Sequence, residues 1–161
     1  KHLQAMLIRA QAHKGASFLE IYQNCNIFND GAFEIFTEKS TKPEEVLFLE
    51  QGKPLIFGAT QNKGIKLDGF KPVIVELAEG ASTDGLWVHD EKDFYKAQIL
   101  IRMFDDPKLQ GHLPRPFGVF YETDRACYED SMVMQIEEAI AQKGKGDLDK
   151  LLKGRETWTI S

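Results

Sequence analysis

Cys25 is the residue of this sequence with the clearest potential for chemistry. It follows an apolar run of strand length, 17–22, and lies among amide side chains in Gln23-Asn24-Cys25-Asn26. In open parallel sheets, ligands bind just beyond the carboxyl ends of strands, so an α/β protein could face a cofactor here. A thiolate at this position could ligate a metal or a cluster. The alternative is a reduced structural thiol, and position alone leaves both interpretations open.

A second group of side chains that could do chemistry is His89-Asp90-Glu91, which could act as an acid–base pair or supply ligands to a metal ion. Adjacent residues of a strand point to opposite faces, however, so these three are poorly placed to converge on one ion. Cys127 is predicted to lie within a helix as a small buried hydrophobe. An iron–sulfur cluster normally takes four thiolates, so any co-ligands of Cys25 would lie outside this chain.

The elements that must position these residues follow from apolar periodicity and turn residues, which predict an α/β fold. An amphipathic helix feeding a mostly apolar strand is typical of a parallel sheet, whereas the middle of the chain predicts a small antiparallel hairpin insertion. The predicted elements are helix Lys1–His13, strand Ser17–Tyr22, a short helix Gly31–Glu38, strands Val46–Glu50 and Pro54–Gly58, hairpin strands Ile65–Leu67 and Phe70–Leu77, strand Leu86–His89, helix Lys92–Phe104, strand Phe117–Tyr121, helix Ala126–Gln142 and a final helix Asp147–Lys153.

Particular residues within these elements predict an edge strand and the apolar faces of two helices. Pro72 within the run 70–77 predicts an edge strand or a late start of the strand, because proline cannot donate a ladder hydrogen bond. Helix 92–104 is expected to bury one stripe and to end at Pro107. The stripe consists of Phe94, Ala97, Ile101 and Phe104, and the corresponding shared face of helix 126–142 consists of Met132, Ile136, Ala139 and Ile140.

Composition places the chain among soluble globular domains. It has 161 residues, 42% of them hydrophobic and 28% charged, and a formal net charge of -5, which argues against a nucleic-acid partner. No apolar run approaches the ~20 residues that span a bilayer, and no signal peptide is visible, so no membrane association is expected. Two cysteines predict reduced thiols and a cytoplasmic location. The uncapped helix starting at Lys1, without Met, suggests a piece of a larger protein.

Eight segments of the chain, taken in order, have a recognisable pattern. They are Ala12-His13-Lys14-Gly15, Ser17-Phe18-Leu19-Glu20-Ile21-Tyr22-Gln23-Asn24-Cys25, Phe28-Asn29-Asp30-Gly31-Ala32-Phe33, Gly52-Lys53-Pro54, Phe57-Gly58, Val88-His89-Asp90-Glu91, Pro116-Phe117-Gly118-Val119-Phe120 and Thr157-Trp158. Together they resemble the β subunit of 2-oxoacid:ferredoxin oxidoreductases, most closely the 2-oxoglutarate type. The resemblance covers essentially the whole chain, and it departs at Arg125-Ala126-Cys127-Tyr128, where such subunits more often have Pro-Thr before the Tyr.

The resemblance implies cofactors, partners and a reaction. Such subunits bind thiamine diphosphate with Mg²⁺ and a 4Fe–4S cluster, and they work with an α subunit and ferredoxin. The reaction is oxidative decarboxylation of a 2-oxoacid, with coenzyme A taking the acyl group. The family's Gln-Asn-Cys-type motif supplies the fourth cluster ligand, which corresponds to Cys25. The implied metal ligand is therefore Cys25 alone, with no catalytic or other cofactor-binding residue assigned.

The resemblance also implies which part of such a subunit this chain corresponds to. The family's Gly-Asp-Gly stretch and a C-x-x-C are both absent from the sequence, so the chain resembles a carboxyl-terminal portion. Residues 1–40 would end the cofactor-binding α/β domain, with its parallel thiamine-diphosphate-type sheet, and residues 41–161 would form the C-terminal domain. The isolated chain is expected to bind none of the cofactors and to be inactive.

A second hypothesis is a stand-alone protein-interaction module of the same ancestry, without catalysis. The intact reading frame separates the two hypotheses, since upstream cysteines and a Gly-Asp-Gly motif favour the enzyme subunit. The choice among 2-oxoglutarate, pyruvate and branched 2-oxoacids stays open. Strand Ser17–Tyr22 has apolar residues on both faces, so without neighbouring strands it would leave an exposed sheet edge. We therefore expect the isolated chain to form a homodimer through this region.

Overall fold

The computed structural model describes residues 1–105, 110–155, 157, 158 and 160. The chain divides into two compact units, of which unit 1 comprises Lys1–Ala12 with Phe18–Thr123 and unit 2 comprises His13–Ser17 with Asp124–Ser161. These are not the two expected domains, 1–40 and 41–161, and that division stays a prediction.

Unit 1 contains both sheets. Strand β1 (Val46–Phe48) pairs in parallel with β5 (Arg115–Phe117). Strands β2 (Ile56–Phe57), β3 (Lys63–Asp68) and β4 (Lys71–Glu76) form an antiparallel sheet in the order β2-β3-β4. The α/β fold with a parallel sheet, a small antiparallel sheet and C-terminal helices is thereby confirmed.

The β3–β4 hairpin forms as its sequence predicts. Asp68 pairs with Lys71, which leaves the two-residue turn Gly69-Phe70, and Gly69 takes a φ of 60° that glycine adopts at little cost. Pro72 lies on β4 and faces Leu67 on β3. Strand β4 is at the edge of its sheet, as predicted.

The predicted partner of β1 is wrong. The sequence suggests that 46–50 and 54–58 form a hairpin across a tight connection, whereas β1 pairs with β5 instead. The predicted strand Phe117–Tyr121 begins and ends earlier, at Arg115–Phe117, because Gly118 has a φ of 145° that breaks the extended conformation. The predicted strand 86–89 is reduced to one bridge between Pro54 and Val88.

The predicted strand Ser17–Tyr22 is also wrong, since this segment pairs with no strand among the described residues. A strand needs a neighbour to satisfy its backbone groups, and none lies alongside. Phe18 is 92% exposed and Ile21 is 49% exposed. The short helix predicted at 31–38 is a single 3₁₀ turn, Glu34–Phe36.

The core of unit 1 lies between the sheets and helix α3 (Phe94–Leu100). Asp93 caps α3 by accepting a hydrogen bond from the Lys96 amide at 3.0 Å. The buried face of this segment passes through Ala97, Leu100 and Met103, spaced three apart. The other three members of the predicted stripe, Phe94, Ile101 and Phe104, are between 42% and 51% exposed, and Pro107 lies outside the described residues. The fully formed core cluster consists of Leu47, Leu49, Leu55, Phe57, Ile65, Trp87, Leu100 and Met103.

The remaining helices are α1 (His2–Ala12) and α2 (Lys42–Glu45) in unit 1, and α4 (Tyr128–Lys143) and α5 (Leu148–Lys153) in unit 2. Each of the three longer ones confirms a predicted helix, with ends shifted by one or two residues. No residue of α4 or α5 is buried. Within the described part of the chain, no helix has both the length and the apolar character needed to cross a membrane.

Candidate functional site

Cys25 lies at the start of a tight loop that its own backbone closes. The Asn29 amide donates to the Cys25 carbonyl at 2.8 Å. The Asn24 side chain spans the same loop, because its oxygen accepts from the Gly31 amide at 2.9 Å and its nitrogen donates to the Asp30 carboxylate at 2.9 Å. The Asn24 side chain therefore helps to fix the conformation of the loop.

Backbone N–H groups surround the thiol of Cys25. The amides of Phe28, Ile27 and Asn29 donate toward the sulfur, that of Phe28 most strongly, and they lower the pKa of the Cys25 thiol. Hydrogen bonds to the charged form favour the thiolate, which is the form that binds metals and clusters. The Cys25 thiol is partly exposed, and these amides shift its equilibrium toward the thiolate.

The segment that carries Cys25 is anchored to strand β5 through Arg115. The Arg115 guanidinium donates to the Tyr22 hydroxyl at 2.7 Å and lies over the rings of Phe104 at 4.3 Å and Phe36 at 5.0 Å. Tyr22 in turn stacks on Phe33, with ring centroids 4.3 Å apart and planes inclined by 24°. Because Tyr22 precedes the loop and Phe33 follows it, both ends of the loop are held together.

The surface beside Cys25 is apolar. Ile27 is 83% exposed and Phe28 is 90% exposed, two and three residues after Cys25 in the same loop. Exposed side chains of this size are typical of a contact surface.

The structure does not bring His89 and Asp90 to a common site. His89 is buried, and its Nε2 lies 2.8 Å from the Val119 carbonyl, whereas its Nδ1 has no hydrogen-bond partner among the described residues. Asp90 accepts from the Lys92 amide at 3.0 Å, and this bond lowers the pKa of the Asp90 carboxyl. Neighbouring side chains diverge here, as strand-like backbone requires.

Glu91 belongs to an ion-pair network that sequence reasoning missed. Arg9 on helix α1 donates through Nη1 to Glu91 at 2.8 Å and through Nε to Glu122 at 3.2 Å. Glu122 also contacts Lys92 at 3.4 Å. The guanidinium lowers the pKa of Glu122, and the two carboxylates raise the pKa of Arg9 above its ordinary value. The arrangement clamps α1 to the body of unit 1, and no local pattern in the sequence signals it.

The residues present could supply one thiolate ligand to an iron–sulfur cluster. Cys25 offers a stabilised thiolate. Cys127, the second free cysteine, belongs to unit 2 and is the partly exposed N-cap residue of α4. The prediction that it is buried within a helix is wrong, because its backbone is still extended, with φ −75° and ψ 149°. Among the described residues, no three His, Cys, Asp or Glu side chains are grouped closely enough to hold a metal ion. A 4Fe–4S cluster takes four thiolates, so the other ligands would have to come from outside this chain.

Comparison with known proteins gives one clear relative. The chain is 32% identical to the 2-oxoglutarate oxidoreductase subunit KorB of Mycobacterium tuberculosis, over 98% of its own length. It spans only 42% of the length of that relative. No family model matches the chain, and no solved structure matches it.

This similarity confirms the resemblance on which the sequence analysis relies. Nearly the whole chain is therefore similar to less than half of a 2-oxoglutarate oxidoreductase subunit. The role of Cys25 stays a prediction.

Proposed function

We propose that this chain is the carboxyl-terminal part of the β subunit of a 2-oxoacid:ferredoxin oxidoreductase, with 2-oxoglutarate as its substrate. In the complete enzyme, thiamine diphosphate with Mg²⁺ supplies the decarboxylation chemistry, and a 4Fe–4S cluster carries electrons toward ferredoxin. Coenzyme A is the acyl acceptor, and an α subunit completes the assembly. This chain contributes one thiolate ligand to the cluster, the side chain of Cys25.

The observation that carries this proposal is the 32% identity to the KorB subunit over 98% of the chain. Within the chain, the backbone N–H groups of Phe28 and Ile27 lower the pKa of the Cys25 thiol. They favour the thiolate, and hydrogen bonds to a ligating sulfur also tune the potential of a cluster. Arg115 and Tyr22 support the same role, because they fix the loop to strand β5 by a 2.7 Å hydrogen bond.

The test uses the full-length subunit that contains this chain, produced without oxygen together with its α subunit. We expect Cys25→Ser to lower the iron content by up to about four atoms per subunit, which is the content of one 4Fe–4S cluster. The electron paramagnetic resonance signal of that cluster should disappear or shift. Cys127→Ser is the matched control and should leave both unchanged. Normal iron content and an unchanged spectrum in Cys25→Ser would rule out the ligand role.

A second test concerns the isolated chain of 161 residues. Mg²⁺ needs hard oxygen ligands in near-octahedral geometry, and the family's Gly-Asp-Gly stretch is absent from this sequence. We therefore expect calorimetric titration with thiamine diphosphate and Mg²⁺ to give no heat of binding, and we expect no decarboxylation of 2-oxoglutarate. Binding at micromolar concentrations would mean that the chain has a cofactor site of its own.

A further inference from the structure

Asn24 uses its whole side-chain amide to join the two ends of the loop that carries Cys25. The amide oxygen accepts from the Gly31 backbone N–H at 2.9 Å. The amide nitrogen donates to the Asp30 carboxylate at 2.9 Å and to the Asn26 side-chain oxygen at 3.0 Å. Both donor hydrogens and the acceptor of the amide are therefore engaged. We call these three hydrogen bonds the Asn24 clasp.

The loop that the clasp closes has little support from the core of unit 1. Every residue from 26 to 31 is exposed, and none belongs to the core cluster. The backbone adds a hydrogen bond from the Asn29 amide to the Cys25 carbonyl at 2.8 Å. Because an exposed loop has few packing restraints, links between its ends decide which way the peptide groups between them point.

The peptide groups between the two ends include those that face the sulfur. The backbone N–H groups of Ile27 and Phe28 lie between Asn24 and Asp30, and they donate toward the Cys25 thiol. Hydrogen bonds to a ligating sulfur help to set the reduction potential of an iron–sulfur cluster. They raise this potential, because the N–H dipoles stabilise the extra negative charge of the reduced state.

We propose that Asn24 is a positioning residue for the cluster, and that its clasp aims the backbone N–H groups of Ile27 and Phe28 at the sulfur of Cys25. This inference rests on the proposed function, in which Cys25 is a cluster ligand, and it assigns Asn24 no contact with the cluster itself. Because the clasp is exposed and lies outside the core, its loss should alter the loop and leave the stability of unit 1 unchanged.

The experiment measures the reduction potential of the cluster in the full-length subunit, assembled with its α subunit, by redox titration followed by electron paramagnetic resonance. We expect Asn24→Ala to retain the iron and to shift the potential to a more negative value, because the N–H groups no longer stay aimed at the sulfur. A role of Asn24 in stability alone would not move this potential.

Two controls separate the clasp from the composition of the loop. Gln23→Ala removes an exposed amide of the same segment whose side chain makes no hydrogen bond within the described part of the chain, so it should titrate like the wild type. Asp30→Asn keeps an acceptor for the Asn24 amide and removes a negative charge, so it should not make the potential more negative.

Hydrogen–deuterium exchange tests the clasp even where a variant loses its iron. In the Cys25→Ser subunit, adding Asn24→Ala should speed exchange of the backbone amides of Asn29 and Gly31 several-fold, with no change in the core of unit 1. A wild-type potential in Asn24→Ala, or unchanged exchange, would overturn the inference. Retention of iron by Cys25→Ser would instead overturn the proposed function, because that substitution removes the ligand and leaves the clasp.

Discussion

Replacing Arg9 by Met tests whether the ion-pair network is what holds helix α1 in place. Methionine keeps the length and much of the apolar stem of arginine but removes the guanidinium. Glu91 then retains a carboxylate whose side chain is only 6% exposed, and its partner is gone. Glu122 keeps its contact with Lys92 and is better hydrated, so the cost falls mainly on Glu91.

The magnitude follows from the exposure of the two partners. Breaking a buried ion pair costs about 3–5 kcal/mol, whereas an exposed pair contributes at most about 1 kcal/mol. Glu91 is buried, but the Arg9 side chain is 41% exposed, so water reaches one side of the pair. We therefore expect the free energy of unfolding of unit 1 to fall by about 2–3 kcal/mol, which lowers its melting temperature by about 5–10 °C.

The assay is urea unfolding at pH 7, followed by the fluorescence of Trp87. Trp87 is 4% exposed within the core of unit 1, whereas Trp158 is 85% exposed, so Trp158→Phe is introduced into every variant to isolate the signal. Lys92→Met is the matched control, because its 3.4 Å contact is with the more exposed carboxylate. It should cost no more than about 0.5 kcal/mol.

A double variant distinguishes the buried charge from lost packing. Adding Glu91→Gln to Arg9→Met removes the uncompensated carboxylate and should restore at least about 1 kcal/mol. If Arg9→Met costs no more than Lys92→Met, or if Glu91→Gln restores nothing, the network does not hold α1 as the geometry indicates.

The remaining predictions concern pH, a close backbone contact and self-association. The pKa values of Glu122 and Glu44 lie below their ordinary value of 4.5, because each carboxylate pairs with a cation. The stability that these carboxylates provide is therefore present above pH 4.5 and should be lost as the pH falls through the lowered pKa values. Urea unfolding at a series of pH values measures this loss. Gly118→Ala should destabilise unit 1 by about 2–3 kcal/mol, because the added Cβ would lie 2.8 Å from the Cβ of Leu49. The φ of 145° at Gly118 is also unfavourable for alanine. Gly52→Ala, with a positive φ but open space, should cost only about 1 kcal/mol in the same assay. The isolated chain should scatter light as a dimer, because the segment 17–22 exposes the apolar side chains of Phe18 and Ile21. A monomer at all concentrations would refute this.

The sequence by itself determined the features that depend on nearby residues. Periodicity predicted helices α1, α4 and α5, and Asp68-Gly69 followed by Pro72 predicted a hairpin with β4 at its edge. Such elements form because residues a few positions apart settle their own hydrogen bonds. The motif around Cys25 also sufficed for the resemblance that the homologue confirms.

Only the tertiary structure decided which distant segments meet. The sequence assigned β1 the wrong partner and made 17–22 a strand, because a strand's pairing depends on a neighbour that local pattern does not specify. Likewise, nothing near Arg9 or Arg115 in the chain indicates that their guanidinium groups meet Glu91 and Tyr22. These contacts join residues far apart in the chain, and they exist only once the fold has brought both partners together and offset the entropy of closing the loop between them.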